Sequence, residues 1–220
     1  MNLYITQNSY YFVHKHFINF FMEGDSKIVY VRERKRGILK KYIEITFNFG
    51  LINTIVCSLL EFFYFLSLSN RAYKLNSLTV NDRDLNIFLD EELQSNKYSQ
   101  IISIGCPCMI DSKLQNKYDV SIINIHGGII PFQRGRFSPL VSIKSGHRYL
   151  GASIYEISDT FDEGKILSQD FFEIKNKFLL PNYNKVLNLS SNLLNLFLKN
   201  NYLKIPENVN AELSKICKDQ

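Results

Sequence analysis

The sequence predicts an α/β fold built on a mostly parallel central sheet with helices on both faces. Residues 100–105 and 120–125 are short runs rich in isoleucine and valine that are apolar on both sides, as the central strands of a parallel sheet are. Strand and helix patterns also alternate along the chain from its beginning. The 220 residues, 45% of them hydrophobic, are enough for one domain with a substantial core.

The N-terminal elements follow from hydrophobic spacing. Residues 3–6 and 27–31 have the composition of short strands, and the aromatic and aliphatic residues of 10–22 recur at the spacing of an amphipathic helix. Further along, residues 79–94 predict a helix because four apolar side chains fall on one face. Asn81 or Asp82 is the expected N-cap of this helix.

The C-terminal part predicts two more strands and a helix. Residues 152–156 and 165–174 are the strands, joined by a polar turn, and residues 186–199 form the apolar helix. The chain from residue 200 onward has the composition of a loose tail, expected to be short and helical. We therefore expect a catalytic domain over residues 1–200 and a C-terminal tail over residues 201–220.

Residues 51–69 are apolar enough to raise the question of a membrane span. Glu61 lies near the middle, and a carboxylate there opposes insertion by about 2.5–3.5 kcal/mol. Three alternatives stay open: a helix that packs on the protein, a helix on a membrane face, and a true span. The first is favoured, so no stable membrane insertion is expected.

Charge and cysteine content indicate a cytoplasmic protein with an anionic partner or a solvated basic surface. The net charge is +5, and the four cysteines are irregularly spaced after an N-terminus without the pattern of a secretory signal. Basic residues are concentrated in one segment, where they either face solvent or attract a phosphorylated substrate, nucleic acid or anionic lipid. They are Arg32, Arg34, Lys35, Arg36, Lys40 and Lys41.

An amide and an imidazole side chain lie at the end of the strand predicted at 120–125. Asn124 and His126 alternate along it, so their side chains share one face, and glycines and a proline come next. Asp162 opens the tripeptide Asp162-Glu163-Gly164 further on. Each residue alone is compatible with a purely structural role in a turn or cap, whereas the ordered set favours a functional site.

This ordered set, N-x-H-x4-P-x2-R-G followed by D-x-G, resembles the formyltransferase family that uses N10-formyltetrahydrofolate. The resemblance is carried by residues 100–169. It implies a Rossmann-like formyltransferase catalytic domain in which Asn124, His126 and Asp162 are catalytic. The chemistry agrees, because formyl transfer to an amine needs fixed donors for the developing oxyanion and a base for the amine proton. Asn124 and a protonated His126 are the expected donors, and Asp162 orients the imidazole and accepts the proton.

The resemblance also implies where the folate co-substrate binds. The wall of its pocket is expected in the loop after the strand at 100–105, in the segment that ends at a proline, and in the turn before Asp162. The expected residues are Cys106, Pro107, Cys108, Met109, Ile110, Gly128, Ile129, Ile130, Pro131, Ser158, Asp159 and Thr160. Gly127 and Gly128 are expected to let the backbone approach the ligand closely. No metal is expected, because the cysteine pair at 106 and 108 lacks a second pair.

Three kinds of formyl acceptor separate the members of the family. The methionyl-tRNA enzyme has a further C-terminal domain, and the glycinamide ribonucleotide enzyme has a glycine-rich phosphate loop where this chain reads TQNSYY at residues 6–11. The favoured substrate is therefore a nucleotide-linked amino sugar, such as dTDP-4-amino-4,6-dideoxyglucose, used for surface polysaccharide or O-antigen. The alternatives are phosphoribosylglycinamide formyltransferase of purine synthesis and a non-catalytic folate-binding relative.

The sequence also suggests partners. Arg134 and Arg136 are expected to bind the pyrophosphate of the sugar nucleotide, and no nucleic-acid partner is expected. A homodimer formed through the C-terminal segment or through the apolar helix stays open.

Overall fold

The structure is a computed structural model that describes most of the chain. The described residues are 1–7, 15–22, 26–32, 46, 50–68, 77–135 and 137–218. The basic segment that follows Arg32 lies outside them, as do the first residues of the helix predicted over 10–22.

Seven strands form a mostly parallel sheet accompanied by helices, which confirms the predicted fold class. The strands are β1 Asn2–Gln7, β2 Lys27–Arg32, β3 Ser77–Asn81, β4 Gln100–Ile104, β5 Ser121–His126, β6 Tyr149–Glu156 and β7 Ile166–Glu173. The described helices are α1 Lys15–Met22, α2 Leu51–Leu68, α3 Leu85–Ser95, α4 Lys113–Tyr118, α5 Ser138–Lys144, α6 Leu179–Leu198 and α7 Glu207–Lys218.

The chain divides into two compact units, and the first is Met1–Ile123. Here β1 pairs in parallel with β2 on one side and with β4 on the other, and β2 pairs in parallel with β3. The side chains of Ile5 and Ile101 are fully buried, because apolar strands of a parallel sheet are covered on both faces. Helix α3 buries Leu85, Leu89 and Leu93, which recur at four-residue spacing along one face.

The second unit is Asn124–Gln220, and it contains the antiparallel pair of β6 and β7. Helix α6 packs against these two strands and buries Val186, Leu193 and Leu194. Strand β5 begins in the first unit and ends in the second, so its last residues, Asn124 to His126, belong with β6 and β7.

The helix predicted over residues 79–94 is wrong in its first turns. Thr79 and Val80 lie in β3 and pair with Tyr30 and Val31 of β2. Helix α3 begins only at Leu85, after Asp84, which takes the N-cap position expected for Asn81 or Asp82. Strand pairing, a long-range interaction, outweighs the local helical pattern here.

The C-terminal tail is helical, as predicted, but it is not loose. Leu203 accepts a hydrogen bond from the backbone N–H of Gln169 at 2.9 Å, which ties the tail to β7. Val209 and Leu213 of helix α7 are buried in a cluster with Ile129. The boundary predicted between residues 200 and 201 stays a prediction.

Helix α2 lies where the apolar helix was predicted. In the described part of the chain, no helix has both the length and the apolar character that crossing a membrane requires. Thr54 is buried, whereas the large apolar side chains described in this helix are exposed.

Candidate active site

Asn124 and His126 lie at the carboxyl end of β5, two residues apart and therefore on the same face of the strand. Ile125, between them, is buried on the other face, which fixes the strand's orientation. Both polar side chains are half-buried, so each is partly withdrawn from water without being sealed in the core. The alternation that the sequence showed thus places an amide and an imidazole in one site.

Asp162 joins this site from the loop between β6 and β7. Its backbone has a left-handed conformation, with φ of 55°, and its side chain is buried. One carboxylate oxygen, Oδ2, accepts a hydrogen bond from the N–H of Gly135 at 2.8 Å. The other, Oδ1, accepts one from the hydroxyl of Tyr155 at 2.8 Å and lies 3.5 Å from Nδ1 of His126.

Tyr155 connects two of the three predicted catalytic residues. Nδ2 of Asn124 donates a hydrogen bond to its hydroxyl oxygen at 2.8 Å, and the hydroxyl donates to Asp162. Since a carboxylate can only accept, it fixes the direction of both hydrogen bonds. Burial and the adjacent negative charge of Asp162 raise the pKa of Tyr155, so the phenol stays neutral and keeps its proton.

The imidazole of His126 has a protein partner on each side. Its Nε2 lies 2.6 Å from the backbone carbonyl oxygen of Gln133, and because a carbonyl only accepts, this nitrogen carries a hydrogen. Its Nδ1 faces the carboxylate of Asp162 at 3.5 Å. A protonated imidazolium would donate in both directions, so the site can hold the charged ring in a fixed orientation.

Gln133 is a residue of this site that the sequence did not indicate. It is buried, and its Oε1 accepts a hydrogen bond from the N–H of Ile129 at 3.0 Å while its Nε2 donates to the carbonyl of Tyr149 at 2.7 Å. These bonds fix the carbonyl that holds His126. Tyr155 was missed for the same reason, because neither residue carries a local signal of its long-range partners.

The structure shows why Gly164, the last residue of the tripeptide that Asp162 opens, is a glycine. A Cβ atom at this position would lie 1.6 Å from the backbone oxygen of Glu156. Only glycine lets the loop return against the end of β6 so closely, and this return places Asp162 beside Tyr155.

At Gly127 and Gly128 an added side chain would meet the protein's own atoms. A Cβ at Gly128 would lie 2.3 Å from the backbone oxygen of Gln133 and 2.8 Å from Nε2 of His126. At Gly127 it would meet a methyl group of Val186 at 3.0 Å. The protein's own atoms therefore lie where a side chain at either position would be, and a role of these glycines in letting the backbone approach a ligand stays a prediction.

Most of the segment predicted to contact folate after these glycines is buried or hydrogen-bonded within the protein. Ile129 and Ile130 are buried, and Ser153 accepts the N–H of Ile130 at 3.1 Å and donates to the carbonyl of Gly128 at 2.7 Å. Pro131 is exposed. A ligand would therefore meet this segment at its proline end, and its role in folate binding stays a prediction.

The predicted folate loop after β4 lies in the first unit. Cys106 and Cys108 bring their sulfur atoms within 3.8 Å of each other, and this contact together with burial raises the pKa of the Cys106 thiol. Met109 is exposed and its carbonyl accepts a hydrogen bond from Asn86 at 3.2 Å, whereas Ile110 is buried. Pro107 is half-buried. Their role in folate binding stays a prediction.

The predicted folate turn, Ser158 to Thr160, is closed by its own side chains. The hydroxyl of Ser158 donates to the carbonyl of Thr160 at 3.0 Å, and Asp159 between them is exposed. The hydroxyl of Thr160 donates to Glu163 at 2.8 Å. The turn is thus a fixed feature next to Asp162.

Arg134, predicted to bind phosphate, forms an ion pair with Glu163 through Nη1. The Thr160 hydroxyl and the Arg134 guanidinium together hold the pKa of the Glu163 carboxyl below its usual value. Both charged side chains remain substantially exposed, so the guanidinium keeps free donors. Arg136, the other predicted phosphate ligand, lies outside the described residues. Within the described part of the chain, no group of three or more metal-ligating side chains is found.

The fold and this site together define an α/β protein in which an amide, an imidazole and a carboxylate meet beside one strand end. The formyl transferase family matches residues 70–193, more than half of the chain. The chain therefore belongs to the formyl transferase family, as the sequence predicted.

Individual relatives confirm the predicted likeness to sugar N-formyltransferases. The chain is 33% identical over 73 residues to dTDP-4-amino-4,6-dideoxyglucose formyltransferase from Mycobacterium bovis. This match covers 33% of the chain and 30% of that relative, so it spans less than a third of the relative's length.

Solved structures show the same fold. A sugar N-formyltransferase from Shewanella has a TM-score of 0.56 at 19% identity, over 94% of this chain and 73% of that one. A phosphoribosylglycinamide formyltransferase from Streptococcus pneumoniae has a TM-score of 0.60 at 14% identity, over 90% and 98% respectively. At such low identity these likenesses show the fold alone.

Proposed function

We propose that this chain is an enzyme that transfers the formyl group of N10-formyltetrahydrofolate to the amino group of a nucleotide-linked amino sugar. The observation that carries this proposal is the hydrogen-bonded chain from Asn124 through Tyr155 to Asp162, with His126 facing the same carboxylate. An amide donor, an imidazole and a carboxylate are the groups that formyl transfer to an amine needs.

Asn124 supplies a donor for the formyl oxygen. Its amide nitrogen has two hydrogens, and Tyr155 accepts one of them. The second hydrogen is held in a set direction, since the first is fixed, and is available to the oxygen that gains negative charge when the amine attacks. A donor fixed in advance in this way stabilises the charge without having to reorganise.

Asp162 is placed to accept the proton that the attacking amine loses. Its carboxylate also lies 3.5 Å from Nδ1 of His126, while the carbonyl of Gln133 holds the other ring nitrogen, so the imidazole stays oriented beside the proton acceptor. The amine nitrogen forms its bond to the formyl carbon, the bond from that carbon to N10 breaks, and N10 gains one proton in place of the one that the amine loses to Asp162. These steps need no metal and no covalent intermediate with the protein.

Folate binding is proposed for the residues that the family resemblance indicated. The bound co-substrate supplies the formyl group, and the fixed turn from Ser158 to Thr160 supports a pocket wall beside Asp162. The segment from Gly128 to Pro131 and the loop from Cys106 to Ile110 are also proposed to contact the folate.

The amino-sugar substrate is supported by the relative whose name states that it formylates dTDP-4-amino-4,6-dideoxyglucose. Arg134 keeps exposed donors and, with Arg136, is proposed to bind the pyrophosphate. Glycinamide ribonucleotide is the second candidate, because a phosphoribosylglycinamide formyltransferase shares this fold. We further propose a cytoplasmic enzyme of surface polysaccharide synthesis, with its catalytic domain in residues 1–200.

The test is to incubate the purified chain with N10-formyltetrahydrofolate and a panel of acceptors. The panel contains dTDP- and UDP-linked amino sugars, glycinamide ribonucleotide and methionyl-tRNA, and mass spectrometry detects the gain of one formyl group. We expect formylation of a dTDP-linked 4-amino sugar. Formylation of glycinamide ribonucleotide alone would show that the proposed acceptor is wrong and that the proposed reaction is right. The absence of formylation on every acceptor would contradict the whole proposal.

A further inference from the structure

Helix α2 turns large apolar side chains toward solvent. Ile52, the most exposed of them, is 78% exposed. Among the described residues of this helix, the exposed apolar side chains are Leu51, Ile52, Ile55, Val56, Leu59, Phe62 and Phe63. We call this set the α2 stripe, and a contiguous apolar surface of this kind is uncommon on a monomer.

The described side chains of this helix that are not exposed belong to two small hydroxyl residues, Thr54 and Ser58. Thr54 is only 4% exposed, and its Oγ1 donates a hydrogen bond to the carbonyl of Gly50 at 2.9 Å. The hydroxyl of Ser58 donates to the carbonyl of Thr54 at 2.9 Å. An ordinary surface helix has its apolar side chains inward and its polar ones outward, and the described side chains of this helix show the reverse.

The α2 stripe has the spacing of a helix that pairs with another helix. Ile52, Ile55, Leu59 and Phe62 follow one another at intervals of three, four and three residues, which is the a and d pattern of a coiled-coil seam. The remaining members of the stripe lie next to this seam and widen it. Such a surface fits another helix with the same pattern.

We propose that a second copy of this chain covers the α2 stripe, so that two α2 helices pair across a two-fold axis. The stripe exposes on the order of 700 Å², close to the roughly 800 Å² that each partner contributes to a standard interface. A two-fold dimer uses the same patch on both copies, and one self-complementary apolar seam satisfies that requirement. The proposal does not depend on the proposed function.

A protein partner fits the helix better than a lipid surface does. Helices that lie in a membrane interface carry lysine and arginine along their polar face. Residues 51–68 contain neither, and the hydroxyls described on the inner face bond to the helix backbone.

Sedimentation of the full chain across the micromolar range tests the proposal, with Leu59→Glu and Leu59→Ala as stripe variants. Ile87→Glu is the matched control, because Ile87 is an apolar residue 63% exposed on helix α3, outside the stripe. We expect the wild type and Ile87→Glu to be dimers with the same dissociation constant. Leu59→Glu should raise that constant at least about thirtyfold, and Leu59→Ala about tenfold, with unfolding transitions like that of the wild type.

Two results would overturn the proposal. The first is a wild type that remains monomeric throughout this range. If that monomer also floats with vesicles of phosphatidylcholine and phosphatidylglycerol, lipid is the partner instead. The second is a dissociation constant that neither Leu59 variant changes, because another surface would then hold the dimer. Since Leu59→Ala adds no charge and leaves a helix-forming residue, it keeps the test valid even if the charged variant misfolds.

Discussion

Tyr155 determines which hydrogens the candidate site offers to a substrate. Its hydroxyl has one hydrogen, which the carboxylate of Asp162 takes, so its oxygen can only accept from Asn124. Reversing the Asn124 amide would set two oxygen atoms against each other. The charge on Asp162 thus orients Asn124 through a residue that need not touch the substrate.

We predict that Tyr155→Phe lowers kcat by about ten- to hundredfold, because a hydrogen bond to a charged group contributes about 1.5–3 kcal/mol. KM for both substrates should stay within a factor of about two, since Tyr155 only positions other groups. Tyr202→Phe is the control, because this tyrosine is exposed and bonds only a surface asparagine. An equal rise in KM with unchanged kcat would argue that Tyr155 binds substrate instead.

We predict that His126→Asn lowers kcat by about a hundredfold or more, the typical effect of removing one preorganised donor. Asparagine leaves a polar group in the site but reaches less far toward Gln133 and Asp162. Folate binding, measured by quenching of protein fluorescence, should remain. If turnover in this variant matches the wild type, the imidazole has no part in the chemistry.

Helix α7 is the element whose packing differs most from the loose tail that the sequence predicted. Its buried side chains contact Ile129, whose backbone N–H is bonded by Gln133, and the carbonyl of Gln133 holds His126. A segment expected to be loose therefore supports the segment that orients the imidazole.

We predict that Leu213→Ala lowers the free energy of unfolding by about 2–5 kcal/mol, as expected for a fully buried leucine. Urea denaturation followed by circular dichroism measures the change. Leu198→Ala, at a partly exposed position of helix α6, should cost much less. Equal effects of the two substitutions would mean that helix α7 is not packed as described.

The whole molecule is predicted to lose stability as the pH falls below about 6.5 because of His147. This side chain is buried, and burial lowers the pKa of His147 from its ordinary value of 6.5. Between the lowered value and 6.5 the unfolded chain binds more protons than the folded chain, so acid favours unfolding there. Above 6.5 the contribution of His147 is constant.

Denaturation of the wild type and His147→Asn at pH 8 and pH 5 checks this prediction. The variant should be less sensitive to the change of pH, because it has lost one group whose protonation favours unfolding. The same loss of stability in both proteins would show that His147 does not contribute.

All strands except β3 could be predicted from the sequence because their signals are local, and the three proposed catalytic residues followed from the ordered motif that resembles the family. Apolar runs identify β4 and β5, and the alternation of Asn124 and His126 follows from strand geometry. Tyr155 and Gln133 act through partners distant in sequence, and Thr79 was assigned to a helix because its pairing with β2 has no local signal. The packing of the tail depends on Ile129 in the same long-range way.

The account rests on Asp162 taking part in formyl transfer, and the rate of transfer from N10-formyltetrahydrofolate to dTDP-4-amino-4,6-dideoxyglucose tests it most directly. Asp162→Asn should lower kcat by about a hundredfold or more, since it removes the proton acceptor and the charge that orients Asn124 and His126. Asp170→Asn, a change of a partly buried carboxylate in β7, should leave kcat near the wild-type value. An Asp162→Asn enzyme within a factor of about two of the wild type would contradict the account.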